Sequence, residues 1–299
     1  MTTTKSRPES HFIEAHSDSH SLRLHYLDWG NPHAGAPVIV CVHGFAMSAH
    51  SFNGFARRFR DRFHILSMDT RGHGDSGHAP AHAYTDEHNV DDLEAFIDAL
   101  DLSRVILVGS SLGGRYSMMY ADRHPERVDR IVVNDIGPVA RPNANKRPAD
   151  GLKRPREFEK PEDALPYLVQ AIPPHGNLPF DEQVEQVRGL LRQREDGIWV
   201  WKMDTAPIRE RRAGTTPPRP PVDLWPVVKR LQCPVLIVWG MKSHLLDEAL
   251  ARETVAALPD GEFVAVPDVG HVPWLTEPTA AEALERFLGA SPLLTHSDP

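Results

Sequence analysis

Residues 104–114 read Arg-Val-Ile-Leu-Val-Gly-Ser-Ser-Leu-Gly-Gly, a short apolar run rich in β-branched residues that ends in Gly-x-Ser-x-Gly. The stretch that follows, SLGGRYSMMYADRHPERV (111–128), carries apolar residues at helical spacing. The pentapeptide is therefore expected at a sharp turn between a buried strand and a helix. Such a turn holds its serine in a strained backbone conformation with the hydroxyl presented outward. Gly109 and Gly113 stand where a Cβ would collide with the adjacent strand or helix. Ser111 is the expected nucleophile.

Strand-like runs recur at SLRLHYLDW, PVIVCVH, FHILSMD, RVILVG, RIVVND, CPVLIVWG and EFVAVP, mostly separated by helical patterns such as VDDLEAFIDALD (90–101). That alternation implies an α/β fold with a mostly parallel, doubly wound sheet covered on both faces. The leading SLRLHYLDWG alternates apolar and polar residues, as an antiparallel strand near a sheet edge does. Between RIVVND and CPVLIVWG lie roughly 90 residues, too many for a plain connection, so this stretch needs structure of its own. PEDALPYLVQAI and FDEQVEQVRGLLRQRE read there as helices, while RPNANKRPADGLKRPRE and RERRAGTTPPRPPVD read as proline-rich basic linkers. The expected organisation is a main domain over 20–137 and 226–290, a helical cap over 138–225, and frayed tails at 1–19 and 291–299.

The 299 residues are 40% hydrophobic and 25% charged, an ordinary globular composition. A formal net charge of -8 argues against nucleic acid, whose phosphates call for a basic surface. The first twenty residues hold no apolar signal-peptide core, and no stretch is long enough to span a bilayer, so a cytoplasmic chain with no membrane partner is expected. Cys41 and Cys233 each lie in an apolar run and read as small core residues rather than a disulfide. The expected partner is a small-molecule substrate.

A serine hydroxyl needs a base. Among the 17 histidines, His271 lies after the last strand-like run and before the helical TAAEALERFL, at the sheet edge where open α/β sheets place their sites. An anionic intermediate also needs donors. His43-Gly44-Phe45 follows PVIVCV at a strand end, which offers the Phe45 backbone N–H beside that of Leu112, the residue after Ser111. His43 then orders its loop. Asp69-Thr70-Arg71-Gly72-His73-Gly74-Asp75-Ser76 reads as a structural glycine-rich turn. No His-Glu-x-x-His and no phosphate loop occur, so no metal and no cofactor are expected.

His-Gly, Asp-x-Arg-Gly-x-Gly, Gly-x-Ser-x-Gly and Gly-His, in this order across nearly the whole chain, resemble the α/β-hydrolase superfamily, of the kind with a cap inserted after its sixth strand. The resemblance implies a Ser-acid-His triad and an acyl-enzyme cycle, and no particular substrate. Many members carry the acid in a turn after their seventh strand. Here that turn reads Gly240-Met241-Lys242-Ser243-His244-Leu245-Leu246, without a carboxylate. The next acid, Asp247, opens DEALARETVAAL and suits a helix cap. Asp135, at the end of RIVVND, is the favoured acid. Some relatives, certain haloalkane dehalogenases among them, place theirs at this point.

These readings imply a cofactor-independent serine hydrolase acting on a small or medium ester, with lactone, amide or carbon–carbon substrates as variants. Ser111, His271 and Asp135 would act together, with the Phe45 and Leu112 amides as oxyanion donors. The alternatives are a cofactor-free haloperoxidase, perhydrolase or dioxygenase of the same fold, and a non-catalytic ligand receptor. Trp199, Trp201 and Trp274 could line a pocket or pack the cap onto the main domain. Arg115 could meet a substrate carboxylate or lie on a helix surface.

Overall fold

Residues 7–17, 20–139, 155–171, 178–215 and 222–289 are described by the structure, a computed structural model. Period-two alternation sets how each central strand faces. In β3 (Val38–Val42), Ile39 and Cys41 join the apolar layer on one side of the sheet, while Val40 and Val42 join the layer on the other. The same split runs through β4 (His64–Met68), β5 (Val105–Ser110), β6 (Val128–Asn134) and the later strand Val235–Gly240. Strands apolar on both sides must be covered on both faces, which is what a parallel sheet with crossover helices provides.

Two further strands, β1 (Glu9–Ser17) and β2 (His20–Asp28), precede these. After β6 the chain carries three short strands, β7 (Glu157–Phe158), β8 (Leu191–Gln193) and β9 (Trp199–Trp201), then returns to the main sheet as β10 (Val235–Gly240) and β11 (Gly261–Val266). The main sheet has eight strands in the order β1-β2-β4-β3-β5-β6-β10-β11. β2 pairs antiparallel with both β1 and β4 and thus runs against the other seven.

Helices α1 (Asn53–Phe59), α2 (Asp86–Ala99) and α3 (Leu112–Arg123) follow β3, β4 and β5. Phe52, Phe55 and Phe59 cover one face with Leu284 and Phe287 of the last helix, Pro278–Gly289. Leu93, Phe96, Met118 and Tyr120 cover the other. Cys41 and Cys233 are buried free thiols, and burial pushes Cys233 up to about 12. They act as core residues, as their apolar surroundings imply.

The structure corrects two expectations. Residues 9–17 are not a tail but the edge strand β1, paired along its length with β2. Ala15 enters the core and Ile13 packs against it, but the run has so few apolar residues that its alternation is faint. The insertion is not purely helical. The helix expected over 180–195 is α5 (Phe180–Leu190), which ends five residues early, after α4 (Leu165–Ala171). Leu191–Gln193 then turns back through Asp196 and Gly197 to pair with Trp199–Trp201. Asp196 accepts the Ile198 N–H at 3.2 Å, and Gly197 takes φ +86°, the turn chemistry of a hairpin. The basic run 209–212 lies in α6 (Ala206–Ala213), and the short α7 (Trp225–Val228) precedes β10. Most of the expected linkers and the tail at 291–299 lie outside the described residues.

Candidate active site

At the end of β5 the chain turns through Ser111, with φ 50° and ψ -116°, straight into α3. A Cβ on Gly109 would come within 2.4 Å of the Gly113 carbonyl oxygen, and one on Gly113 within 1.9 Å of that of Val42. Any side chain at either position would push the turn apart. Ser111 N–H donates to the Asn134 carbonyl at 2.8 Å, tying the turn to β6. The Gly114 and Arg115 amides both close back on the Ser111 carbonyl. Leu112 and Gly113 begin the helix, where amides have no intrahelical acceptor.

Asp135, itself at φ 60°, follows β6 directly, and the loop after β11 brings His271 over the turn. His271 Nε2 lies 3.0 Å from Ser111 Oγ, and its Nδ1 lies 2.7 Å from Asp135 Oδ2. Asp135 also accepts the Val272 N–H on Oδ2 at 3.0 Å and the Gly240 N–H on Oδ1 at 3.1 Å. A carboxylate fixed from two loops by backbone amides can orient only one ring nitrogen. The imidazole then carries its proton on Nδ1 and turns the Nε2 lone pair to the serine. All three side chains are buried, with Asp135 fully so.

Asp247 stands elsewhere in role. It caps α8 (Glu248–Ala257), with its carboxylate accepting the Leu250 N–H at 2.8 Å. The turn at 240–246 reaches the histidine in another way. The His244 ring packs edge to face on His271, with centroids 5.3 Å apart.

The His43–Phe45 loop lies against the turn, for a Cβ on Gly44 would sit 3.1 Å from that of Ser111. His43 Nδ1–H donates to the Gly44 carbonyl at 2.7 Å, and Nε2 accepts the Thr70 N–H at 3.0 Å. Burial holds this imidazole below its ordinary pKa, against the pull of Asp69. It is thus a neutral brace of the loop. The Asp69–Ser76 turn is anchored in the main domain: Asp69 accepts the Ala49 and Asp75 amides at 2.7 and 2.9 Å, and Arg71 forms a buried two-pronged pair with Asp92.

Three supporting residues were not singled out by the sequence reading. Asn134 donates to Ser110 Oγ at 3.0 Å and to the Pro273 carbonyl at 2.8 Å, so it joins β5, β6 and the His271 loop. A polar residue closing an apolar strand was its only signal. His244 is the second. His73, the third, packs edge-on against both His43 and Phe45. Its Nδ1–H donates to the Arg71 carbonyl at 3.0 Å, while its buried Nε2 has no hydrogen-bond partner among the described residues. Burial, and then the neighbouring His43, bring His73 down to about 4. The unfolded chain takes up that proton near the usual value of about 6.5, whereas the folded one resists it. Stability from this group is complete above that pH and is lost as the pH falls toward 4. Unfolding midpoints measured from pH 7 to 4 should decline, and His73→Gln should flatten the decline by about one proton. An unchanged slope would refute this origin.

The inserted segment packs onto the main domain. Phe158, Leu168, Val187 and Leu190 form its apolar core together with Met47 and Trp274 of the main domain, and Val272 packs alongside. Trp274 therefore joins the two parts. Trp199 and Trp201 lie in the insertion's own sheet, where Trp201 meets Phe158 edge to face and donates to the Pro155 carbonyl. α5 is held to the main domain by Arg57 with Glu185 and by Gln186 with the His50 carbonyl. Lys202 pairs with Asp75 at 2.6 Å, and Tyr84 donates to Asp204 at 2.7 Å. A narrow crevice beside the turn is lined by Gly44, Met47, Phe52, Ser110, Val272 and Trp274. Arg115 pairs with Asp86 at 3.0 Å, as a helix-surface arginine does.

Residues 37–278 match the family model for the α/β hydrolase fold. The chain belongs to the α/β-hydrolase family. It is similar to a 3-hydroxybutyrate-oligomer hydrolase of Cupriavidus necator, with 30% identity over 95% of this chain and 99% of that protein. It is also similar to a 2-(acetamidomethylene)succinate hydrolase of Mesorhizobium japonicum, with 27% identity over 94% of this chain and 96% of that one. A crystal structure of an α/β hydrolase from Novosphingobium aromaticivorans superposes with a TM-score of 0.79 at 27% identity, covering 95% of this chain and 98% of that one. This chain is thus a hydrolase whose relatives are named as hydrolases. Among its described residues no helix is long and apolar enough to cross a membrane.

Proposed function

We propose that this α/β hydrolase is a serine esterase for short acyl esters, with Ser111, His271 and Asp135 as its triad. Ser111 Oγ attacks the ester carbonyl carbon as its proton passes to His271 Nε2. The amides of Phe45 and Leu112 hold the oxyanion, and His271 then protonates the departing alkoxide. A water, deprotonated by the same nitrogen, releases the acid from the acyl-enzyme. Asp135 keeps the proton on Nδ1 and stabilises the imidazolium that forms in each half-reaction.

What carries this reading is the unbroken hydrogen-bonded chain from Ser111 through His271 to Asp135. The serine itself separates the chemistry from that of relatives whose first step uses an aspartate at this turn. The inserted segment acts as a cap, and the apolar side chains of Met47, Val272 and Trp274 packed beneath it leave little room beside the turn, which suits a short acyl chain. The name of the Cupriavidus relative points to esters of a short hydroxy acid as the first natural substrates to try.

Short-chain p-nitrophenyl esters should be cleaved with higher kcat/KM than long-chain ones, and 3-hydroxybutyrate dimers and trimers should yield the monomer. Product identification with simultaneous oxygen measurement tests both. A preference for long chains would contradict the covered pocket. Oxygen uptake without hydrolysis of any ester, lactone or amide would overturn the esterase assignment.

A further inference from the structure

A second serine, histidine and aspartate stand in one hydrogen-bonded chain at the far edge of the sheet. In the β1–β2 hairpin Ser10 opposes Leu27 and Phe12 opposes His25, which makes Ser10 and His25 diagonal neighbours on one face. Ser10 Oγ lies 2.8 Å from His25 Nε2, and His25 Nδ1 lies 2.6 Å from Asp69 Oδ2. The matching distances around His271 are 3.0 and 2.7 Å. The two carboxylates are held alike. Like Asp135, Asp69 receives an imidazole and a backbone N–H on Oδ2 and a second backbone N–H on Oδ1.

The protonation pattern follows from the surroundings. Burial alone would push the Asp69 carboxyl up, but the hydrogen bond from His25 and the nearby imidazoles of His43 and His25 hold it below its ordinary value. An ionised Asp69 claims the Nδ1 proton of His25 and leaves the Nε2 lone pair facing the hydroxyl. His25 and Asp69 are each 1% exposed, whereas Ser10 is open to solvent. Beside it the Phe12 ring is 39% exposed and 5.0 Å from the His25 ring, with the Arg23 guanidinium 3.6 Å above its centre.

We propose that Ser10 is a second acyl-accepting residue, activated by His25 and Asp69 and acylated by small activated aryl esters. The Ser10 Oγ–carbonyl bond forms as the hydroxyl proton moves to His25 Nε2. The bond from the carbonyl to the aryl oxygen then breaks, and the phenol leaves with that proton or as phenolate. Ser10 sits within a regular strand rather than before a helix N-terminus, so it lacks the amide donors that Leu112 and Phe45 offer at Ser111. Deacylation is correspondingly slow. The expected outcome is one lasting acyl group per chain, not turnover.

The test uses Ser111→Ala protein, so that the ester is not consumed elsewhere, and the inference stands or falls independently of the role of Ser111. The protein is exposed to p-nitrophenyl acetate, and acetyl occupancy is followed by peptide mass mapping. Ser21 is the internal control, an exposed hydroxyl in the same hairpin that bonds to Glu14 rather than to a histidine. Ser10 should be acetylated roughly 100-fold faster than Ser21, the lower range for general-base assistance, and the two rates should converge in concentrated urea. Equal rates in the folded protein, or a preference that persists in urea, would overturn the proposal. His25→Gln should also equalise the rates, and a preference retained in that variant at an unchanged unfolding midpoint would overturn it as well. Should that variant fail to fold, the comparison with urea carries the decision.

Discussion

Replacing Ser111 with alanine is expected to lower ester turnover by between about three and six orders of magnitude while leaving the fold in place, because the members of a triad act as a unit. The change removes a single hydroxyl whose hydrogen bond is to His271 Nε2. The backbone already stands at φ 50° and is held there by Asn134, Gly109 and Gly113 rather than by the side chain. Circular dichroism and the unfolding midpoint should therefore stay close to those of the parent. Brief exposure to a fluorophosphonate should modify Ser111 in the parent protein. Near-parent turnover in the variant would remove this serine from the mechanism.

How much of this was readable beforehand depended on whether a feature is local. The strand–turn–helix at 104–123 was readable because Gly109, Ser111 and Gly113 answer to one steric demand within five residues. His271 was readable from its position after the last strand. β1 was missed because Ser10, His11 and Glu14 dilute the pattern, and its strand character comes from pairing with β2. The hairpin at 191–201 was missed because the helical spacing of α5 runs on past Leu190, and only Asp196-Gly197 marks the break. Asn134, His73 and His244 gain their roles from chain segments far away in sequence, which no window along the chain can reveal. Trp274 likewise became interpretable only once the insertion was seen to close on it.

The assignment of the acid yields the other large effect. Asp135→Asn should cost roughly four orders of magnitude in turnover, whereas Asp247→Asn should cost little. The carboxylate of Asp135 accepts three N–H groups: His271 Nδ1, Val272 and Gly240. An asparagine offers one carbonyl oxygen and a donating NH2 group in its place. If the amide oxygen takes the Oδ1 place it keeps the Gly240 N–H, and the NH2 at the Oδ2 place then faces both the Val272 N–H and Nδ1 and drives the imidazole proton to Nε2. The ring then cannot accept from Ser111, and the attacking hydroxyl loses its base. The same mismatch should lower stability by about 1–3 kcal/mol, so activity must be compared where both proteins are folded. Asp247 gives the opposite outcome for a structural reason. Asparagine caps a helix about as well as aspartate, so the Leu250 N–H keeps its acceptor and α8 keeps its first turn. Measuring kcat for the two variants on one short-chain ester decides between them, and an inactive Asp247→Asn beside an active Asp135→Asn would move the acid to the loop after β10.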